Sequence, residues 1–126
     1  MIKKKVLNPK RVRKINGGFS FIPHRFILDG FLAALGQKEL LLYLFLVIVS
    51  DRNGVSFYSY DVICTLLSLD LDEYIASRDS LIEKDLIAFD GTLFQVLSLP
   101  QSPPAPQQKE NRSPLDKLIQ QAVKGI

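Results

Sequence analysis

The stretch from Ser59 to Leu97 constrains the fold of this 126-residue chain more than any other part. Ser59 is a favourable helix N-cap, because its hydroxyl can accept a hydrogen bond from a backbone N–H group of the first turn. Apolar residues recur behind it at helical spacing: Val62, Ile63, Leu66 and Leu67. The pattern predicts a helix from Tyr60 to about Ser68.

A second helix is predicted directly after a short turn. Leu69 fills the turn, and Asp70 with Glu73 three residues later forms an Asp version of the capping box. This signal predicts a helix from Leu71 to Lys84. Its apolar face is expected to consist of Leu71, Tyr74, Ile75, Leu81 and Ile82.

The period changes from helical to strand-like after the second helix. Residues Leu86 to Phe89 predict a strand, and Asp90-Gly91 is a dipeptide favoured in type I′ hairpin turns. The expected return strand is formed by Leu93, Phe94, Val96 and Leu97. The whole stretch is therefore expected to fold as two helices followed by a hairpin.

The run from Leu81 to Ile87, Leu-Ile-Glu-Lys-Asp-Leu-Ile, resembles the Leu-x-x-Lys-Gly-Leu-Ile segment that leads from the recognition helix to the wing in winged helix-turn-helix domains. Asp85 stands where that family usually has glycine, and Asp tolerates the left-handed conformation better than most residues. The resemblance covers roughly residues 37 to 99. It implies a mainly α fold with a small β-hairpin (α+β), and either DNA binding or protein interaction as the function.

Two further helices are expected before the helix-turn-helix. Pro23 suits the first position of a helix that runs to about Leu35 and ends at Gly36. The next segment runs from Gln37 to Ser50, and its residues from Leu40 to Val49 are apolar on every side, so it is expected to be a central helix covered all round. A buried strand is the competing assignment for its second half.

Short apolar segments flank these helices. Phe19 to Ile22 is expected to form a short strand or to pack as an apolar leader, and Val55 to Phe57 is expected to form a strand that pairs with the wing. Among the neighbouring aromatic residues, Phe57 is expected to pack in the core. Stacking on single-stranded bases is a further possibility for Phe57, Tyr58 and Tyr60, and one of the two tyrosines is expected to be exposed.

The composition argues against several classes of function. The chain has one cysteine, Cys64, and one histidine, His24, so a cysteine-based zinc cluster or a histidine-dependent triad is not expected. It also has no glycine-rich phosphate loop. We expect no enzymatic activity, no cofactor, no metal and no small-molecule substrate. The longest apolar run, Leu40 to Val49, is about half the length of a membrane-spanning helix, which predicts a cytoplasmic protein without membrane contact.

The charges are segregated along the chain. Residues 1–18 form a basic arm with no acidic residue, and residues 15–100 carry five basic and eleven acidic side chains, a net charge of −6. The arm is expected to be flexible alone and to bind DNA phosphates, and the alternative is that it serves only as a solubilising tail. Its seven cations are Lys3, Lys4, Lys5, Lys10, Arg11, Arg13 and Lys14.

The C-terminal part has a different composition from the predicted winged-helix domain at 19–99. Residues 100–112 are rich in Pro and Gln and predict an extended linker. Residues 113–126 predict an amphipathic helix that is capped by Ser113 and whose partner-binding stripe contains Leu115, Leu118, Ile119, Ala122 and Val123. A helix this short needs a surface to stabilise it. That surface is the chain's own body, a second copy in a homodimer, or another protein.

The predicted recognition helix has few groups suited to DNA. Its outward residues are expected to be Asp72, Glu73, Ala76, Ser77 and Ser80, none of them basic. The candidate contacts to DNA are Ser77, Arg78, Ser80 and Lys84, although an ion pair within the fold is an equal alternative for Arg78. The wing turn also lacks Lys and Arg.

These patterns lead to two functional expectations. The first is a small DNA-associated protein in which the arm provides most of the affinity and the helix-turn-helix provides modest specificity or a protein contact. Replication, transcription regulation and mobile elements are the contexts in which similar winged helices occur. The alternative is an interaction adaptor whose acidic recognition face and C-terminal helix bind proteins.

Overall fold

A computed structural model describes residues 2–102, which form five α-helices and one small antiparallel sheet. The helices are α1 (Arg25–Leu28), α2 (Phe31–Ala34), α3 (Gln37–Val49), α4 (Tyr60–Leu67) and α5 (Leu71–Glu83), and the strands are β1 (Val55–Ser56), β2 (Ile87–Phe89) and β3 (Phe94–Val96). This architecture confirms the predicted mainly α class with a small β element. The predicted C-terminal helix and residues 103–112 of the predicted linker lie outside the described residues.

The two helices of the predicted helix-turn-helix occur where the sequence pattern places them. At the start of α5, the carboxylate of Asp70 accepts from the backbone N–H of Glu73 at 2.7 Å, and Glu73 accepts from the backbone N–H of Asp70 at 2.9 Å. The capping box is therefore confirmed. Ser59 occupies the N-cap of α4, but its hydroxyl makes no capping hydrogen bond.

The wing is a three-stranded sheet with β3 in the centre, because β3 pairs antiparallel with both β1 and β2. The predicted pairing of β1 with the wing is confirmed. The prediction of a type I′ turn at Asp90-Gly91 was wrong. That turn needs positive φ at both central residues, and only Gly91 has it, at 98°. The carboxylate of Asp90 shapes the turn instead by accepting from the N–H groups of Thr92 (2.8 Å) and Leu93 (2.6 Å).

Asp85 adopts the left-handed conformation that was predicted for it, with φ 64°. Around it, the N–H of Leu86 donates to the carbonyl of Leu81 at 3.1 Å, and the N–H of Asp85 donates to the carbonyl of Ile82 at 3.0 Å. These two bonds form a Schellman motif, which satisfies the last carbonyls of α5 and turns the chain into β2.

Replacing Asp85 with glycine is expected to raise the free energy of unfolding by about 0.5 kcal/mol, because glycine adopts positive φ without the steric cost of a Cβ atom. Replacing Asp85 with alanine, which keeps the Cβ atom, should instead lower stability. Urea unfolding of the two variants beside the parent chain measures the order. Equal stability of D85G and D85A would show that this backbone position carries no strain.

The core lies between α3, α5 and the sheet. Leu42, Tyr43, Leu46 and Val47 are its contributions from α3, which remains helical to Val49, so the alternative of a buried strand is not observed. The expectation that this helix is covered all round was wrong, since Leu41 is exposed and Ile48 is 71% exposed. Among the described residues, no helix combines the length and apolar character needed to cross a membrane.

The segment before α3 is more broken than predicted. The single helix expected from Pro23 to Leu35 is two short helices, α1 and α2, because Gly30 between them has φ 88° and interrupts the helical backbone. The segment from Phe19 to Ile22 forms no strand. Only Ile22 of its apolar residues packs against the core, while Phe19 and Phe21 are exposed.

Candidate nucleic-acid interface

The predicted basic arm lies outside the core. Every residue from 2 to 19 is exposed, and its one regular element is a single 3-10 turn at Pro9–Arg11. The side chain of Asn8 caps this turn by accepting from the backbone N–H of Lys10 at 3.1 Å. All seven predicted phosphate-binding residues are therefore exposed to solvent, in a segment with no buried residue.

The outer face of α5 is acidic and apolar. Its exposed residues are Leu71, Asp72, Ala76, Asp79, Ile82 and Glu83, of which three are acidic and none is basic. Carboxylates on this face repel DNA phosphates, although Asp or Glu can accept from the amino group of cytosine in the major groove. Glu73 is paired with Lys38 of α3 across the start of the helix.

Ser77 does not point outward as predicted. It is buried, with 4% exposure, and forms one inward stripe with Tyr74 and Leu81, at positions i, i+3 and i+7. Leu71 and Ile82, which were expected on the apolar face, lie outside this stripe and are exposed. The predicted apolar face is therefore confirmed at Tyr74, Ile75 and Leu81 and wrong at Leu71 and Ile82. The burial of Ser77 was not predicted, because its small, polar side chain gives no hydrophobic signal.

Lys84 and Ser80 bind a carboxylate of α3. The Nζ of Lys84 donates to Glu39 Oε2 at 2.8 Å and to the carbonyl of Ala34 at 2.9 Å, and the Oγ of Ser80 donates to the same carboxylate oxygen at 2.8 Å. The side chains of Lys84 and Glu39 are only 15% and 12% exposed. Two of the four candidate DNA contacts of this helix are thus engaged in joining α5 to α3.

The Glu39 carboxylate is held in its charged form by this cluster. Burial raises the pKa of Glu39, but hydrogen bonds from Lys84, Ser80 and the backbone N–H of Gly36, together with the positive charge of Lys84, outweigh it and lower the pKa below the usual 4.5. This cluster was not among the predicted site residues. Its only sequence signal is a carboxylate, Glu39, in the first turn of a helix that is apolar from Leu40 onward.

Arg78 lies between α5 and the wing. Its guanidinium carbon is 5.5 Å from the ring centroid of Tyr74 and 5.3 Å from that of Phe89, and its Nη2 is 3.0 Å from the carboxylate of Asp79. These cation–π and ionic contacts support the alternative of an internal role for Arg78. The same side chain is 23% exposed, so part of the guanidinium still reaches solvent.

The aromatic residues before α4 are arranged differently from the expectation. Phe57 is 67% exposed, so its predicted packing in the core was wrong. Tyr58 packs edge-on against Phe45, with ring centroids 5.3 Å apart, and Tyr60 is exposed. Phe57 and Tyr60 are therefore the residues of this group that present aromatic surface to solvent.

Comparison with known proteins agrees with this geometry. Residues 33–87 match the family model of a helix-turn-helix domain. No curated protein and no solved structure matches the chain. The matched segment contains α3, β1, α4 and α5 and ends at the first residue of β2. Residues 33–87 are therefore similar to a helix-turn-helix domain, and the three-stranded sheet gives this part of the chain the form of a winged helix.

Proposed function

We propose that this protein binds DNA mainly through its basic arm, and that the helix-turn-helix adds modest sequence preference or a protein contact in replication, transcription regulation or a mobile element. The observation that carries this proposal is the separation of charge. Seven exposed cations lie within residues 3–14, whereas residues 15–100 have a net charge of −6 and an α5 face without a cation.

The arm suits the phosphate backbone for a physical reason. Each Lys or Arg that neutralises a phosphate releases condensed counterions, and this release supplies most of the free energy of non-specific binding. A segment outside the core can follow either groove, and basic arms of this kind enter the minor groove in several DNA-binding folds. Binding is therefore expected to be strongly salt-dependent and largely independent of sequence.

The body contributes through the groups that remain on the outer face of α5. Asp72 can accept from the amino group of cytosine, and Ala76 can contact the methyl group of thymine. Such contacts are few, and the neighbouring carboxylates oppose close approach to phosphates. Ser80 and Lys84 act mainly by fixing α5 against α3, and Arg78 adds a partly exposed cation beside the wing.

Two double substitutions that remove the same charge test the division of labour. K10Q/R11Q removes two cations from the arm, and K38Q/R52Q removes two exposed cations from the body. The slope of log affinity against log salt is negative, and we expect the arm variant to make it shallower by about 1.8, at about 0.9 per phosphate contact. The body variant should leave the slope nearly unchanged. Fluorescence anisotropy on a random duplex gives both slopes, and equal loss in the two variants would contradict a dominant arm.

The alternative, a protein-interaction adaptor, is favoured by one observation. Leu71 and Ile82 are exposed beside Asp72 and Glu83 on the outer face of α5, a mixture of apolar and acidic groups that suits a basic amphipathic peptide. The salt series also tests this alternative. A full-length chain that does not bind duplex DNA even at low salt would favour the adaptor.

A further inference from the structure

An apolar groove lies on the surface of the folded part of the chain. It has a volume of about 1000 Å³ and lies between residues 17–21, the C-terminal end of α3 with the turn at residues 50–54, and residues 96–99. Three large apolar side chains around it are exposed to solvent: Phe19, Phe21 and Ile48. The Oγ of Ser20 donates to the carbonyl of Ile48 at 3.3 Å, which holds one wall of the groove against α3.

The described chain ends beside this groove. Arg25, which lines the groove, donates from Nη2 to the carbonyl of Pro100 at 2.9 Å, while its Nε donates to Asp29 at 2.7 Å. The guanidinium thereby fixes the point at which the chain leaves the body. Everything C-terminal to Ser102 starts from the rim of the groove.

The remaining sequence contains a segment that fits an apolar groove. Residues 113–126 carry apolar side chains at helical spacing: Leu115, Leu118, Ile119, Ala122 and Val123. The eleven steps from Ser102 to Ser113 can span up to about 36 Å, at about 3.3 Å for each residue. A helix of 14 residues would be about 21 Å long, so the segment can reach the groove from its own exit point.

We propose that residues 113–126 bind in the groove of their own chain, with the apolar stripe against Phe19, Phe21 and Ile48. A short tether favours this partner over a second copy, because it gives the segment an effective concentration of about millimolar at the groove. Phe19 and Phe21 belong to the segment that continues into the basic arm. Binding of the tail therefore also fixes the base of the arm, whatever the arm itself binds.

Crosslinking of the full-length chain tests this proposal. In a C64S background, S98C places a thiol on the groove, and Q121C places one on the tail beside the apolar stripe. A short bismaleimide at low protein concentration should give crosslinked monomer, detected by its mobility on a denaturing gel. Adding I48D in the groove should slow this reaction at least tenfold. The matched control L66D, on the exposed face of α4, should not change it.

A second pair of substitutions makes the test independent of any effect on the body. L118D/I119D places two charges on the tail alone and should slow the crosslinking at least tenfold, as I48D does. Crosslinked dimer as the main product would overturn the proposal in favour of exchange between chains. Equal crosslinking in the I48D, L66D and L118D/I119D variants would overturn it by showing that the tail has no preferred site in the groove.

Discussion

Replacing Lys84 with methionine is expected to lower the free energy of unfolding by about 2–3 kcal/mol at pH 7. Methionine keeps the apolar stem of the side chain but removes the charge, which leaves the Glu39 carboxylate at 12% exposure without its cation. Removing one partner of a buried pair costs more than the pair contributes, because an uncompensated charge stays behind. We place the effect below the range for fully buried pairs because both side chains retain some contact with water. Urea unfolding at constant ionic strength measures it.

The loss of stability in K84M should become smaller as the pH falls. The pKa of Glu39 is lowered in the folded protein, so the contribution of the pair is present above about pH 4.5 and is lost as the pH falls through the folded-state pKa. In K84M the carboxylate keeps its burial without the lysine, which raises its pKa. The difference in stability between the parent chain and K84M should therefore narrow as the pH falls, starting at the higher pKa that Glu39 has in K84M.

An exposed ion pair provides the control. Arg25 and Asp29 form an i, i+4 pair whose side chains are 43% and 40% exposed. Replacing Asp29 with asparagine should cost less than about 0.5 kcal/mol, as is usual for surface pairs. A loss in K84M no larger than in D29N would show that the cluster around Glu39 does not stabilise the contact between α3 and α5. A double-mutant cycle of K84M with E39Q should give a coupling of about 1 kcal/mol or more.

The parts of the fold that sequence alone could predict are those with a local physical signal. The capping box of Asp70 and Glu73 lies within four consecutive residues, so the start of α5 could be predicted from the local sequence. Asp85 replaces a glycine that the resemblance leads one to expect, and the backbone there has the left-handed conformation. The matched family segment and the three-stranded wing agree with the predicted winged helix-turn-helix.

The missed features depend on contacts between distant residues. Glu39 and Lys84 are 45 positions apart, and no periodic pattern connects a carboxylate in α3 with a lysine after α5. Ser77 is buried because of where α5 packs, although its own side chain favours no side of the helix. The break between α1 and α2 was missed for a different reason. Gly30 is a local signal for a break in the helix, but the apolar residues on both sides of it suggested one continuous helix.

The largest effect on binding is expected from deleting residues 2–14. The deletion removes all seven cations of the arm and leaves the acidic body, so affinity for a random DNA duplex should fall about 100-fold to 1000-fold at low salt. The described core begins at Ile22, beyond the deleted residues, and no residue from 2 to 14 is buried. The thermal unfolding midpoint should therefore stay close to that of the parent chain, which separates a loss of binding from a loss of folding.

The most direct test of the account is the dependence of DNA affinity on salt, measured for the full-length chain and for the chain without residues 2–14. For the full-length chain, we predict a slope of log affinity against log salt of about −4 to −6, equivalent to four to seven neutralised phosphates at about −0.9 each. After the deletion the slope should become much shallower, about −1, or binding should become too weak for a slope to be measured. An unchanged slope in the shortened chain would show that the arm does not carry the affinity for DNA.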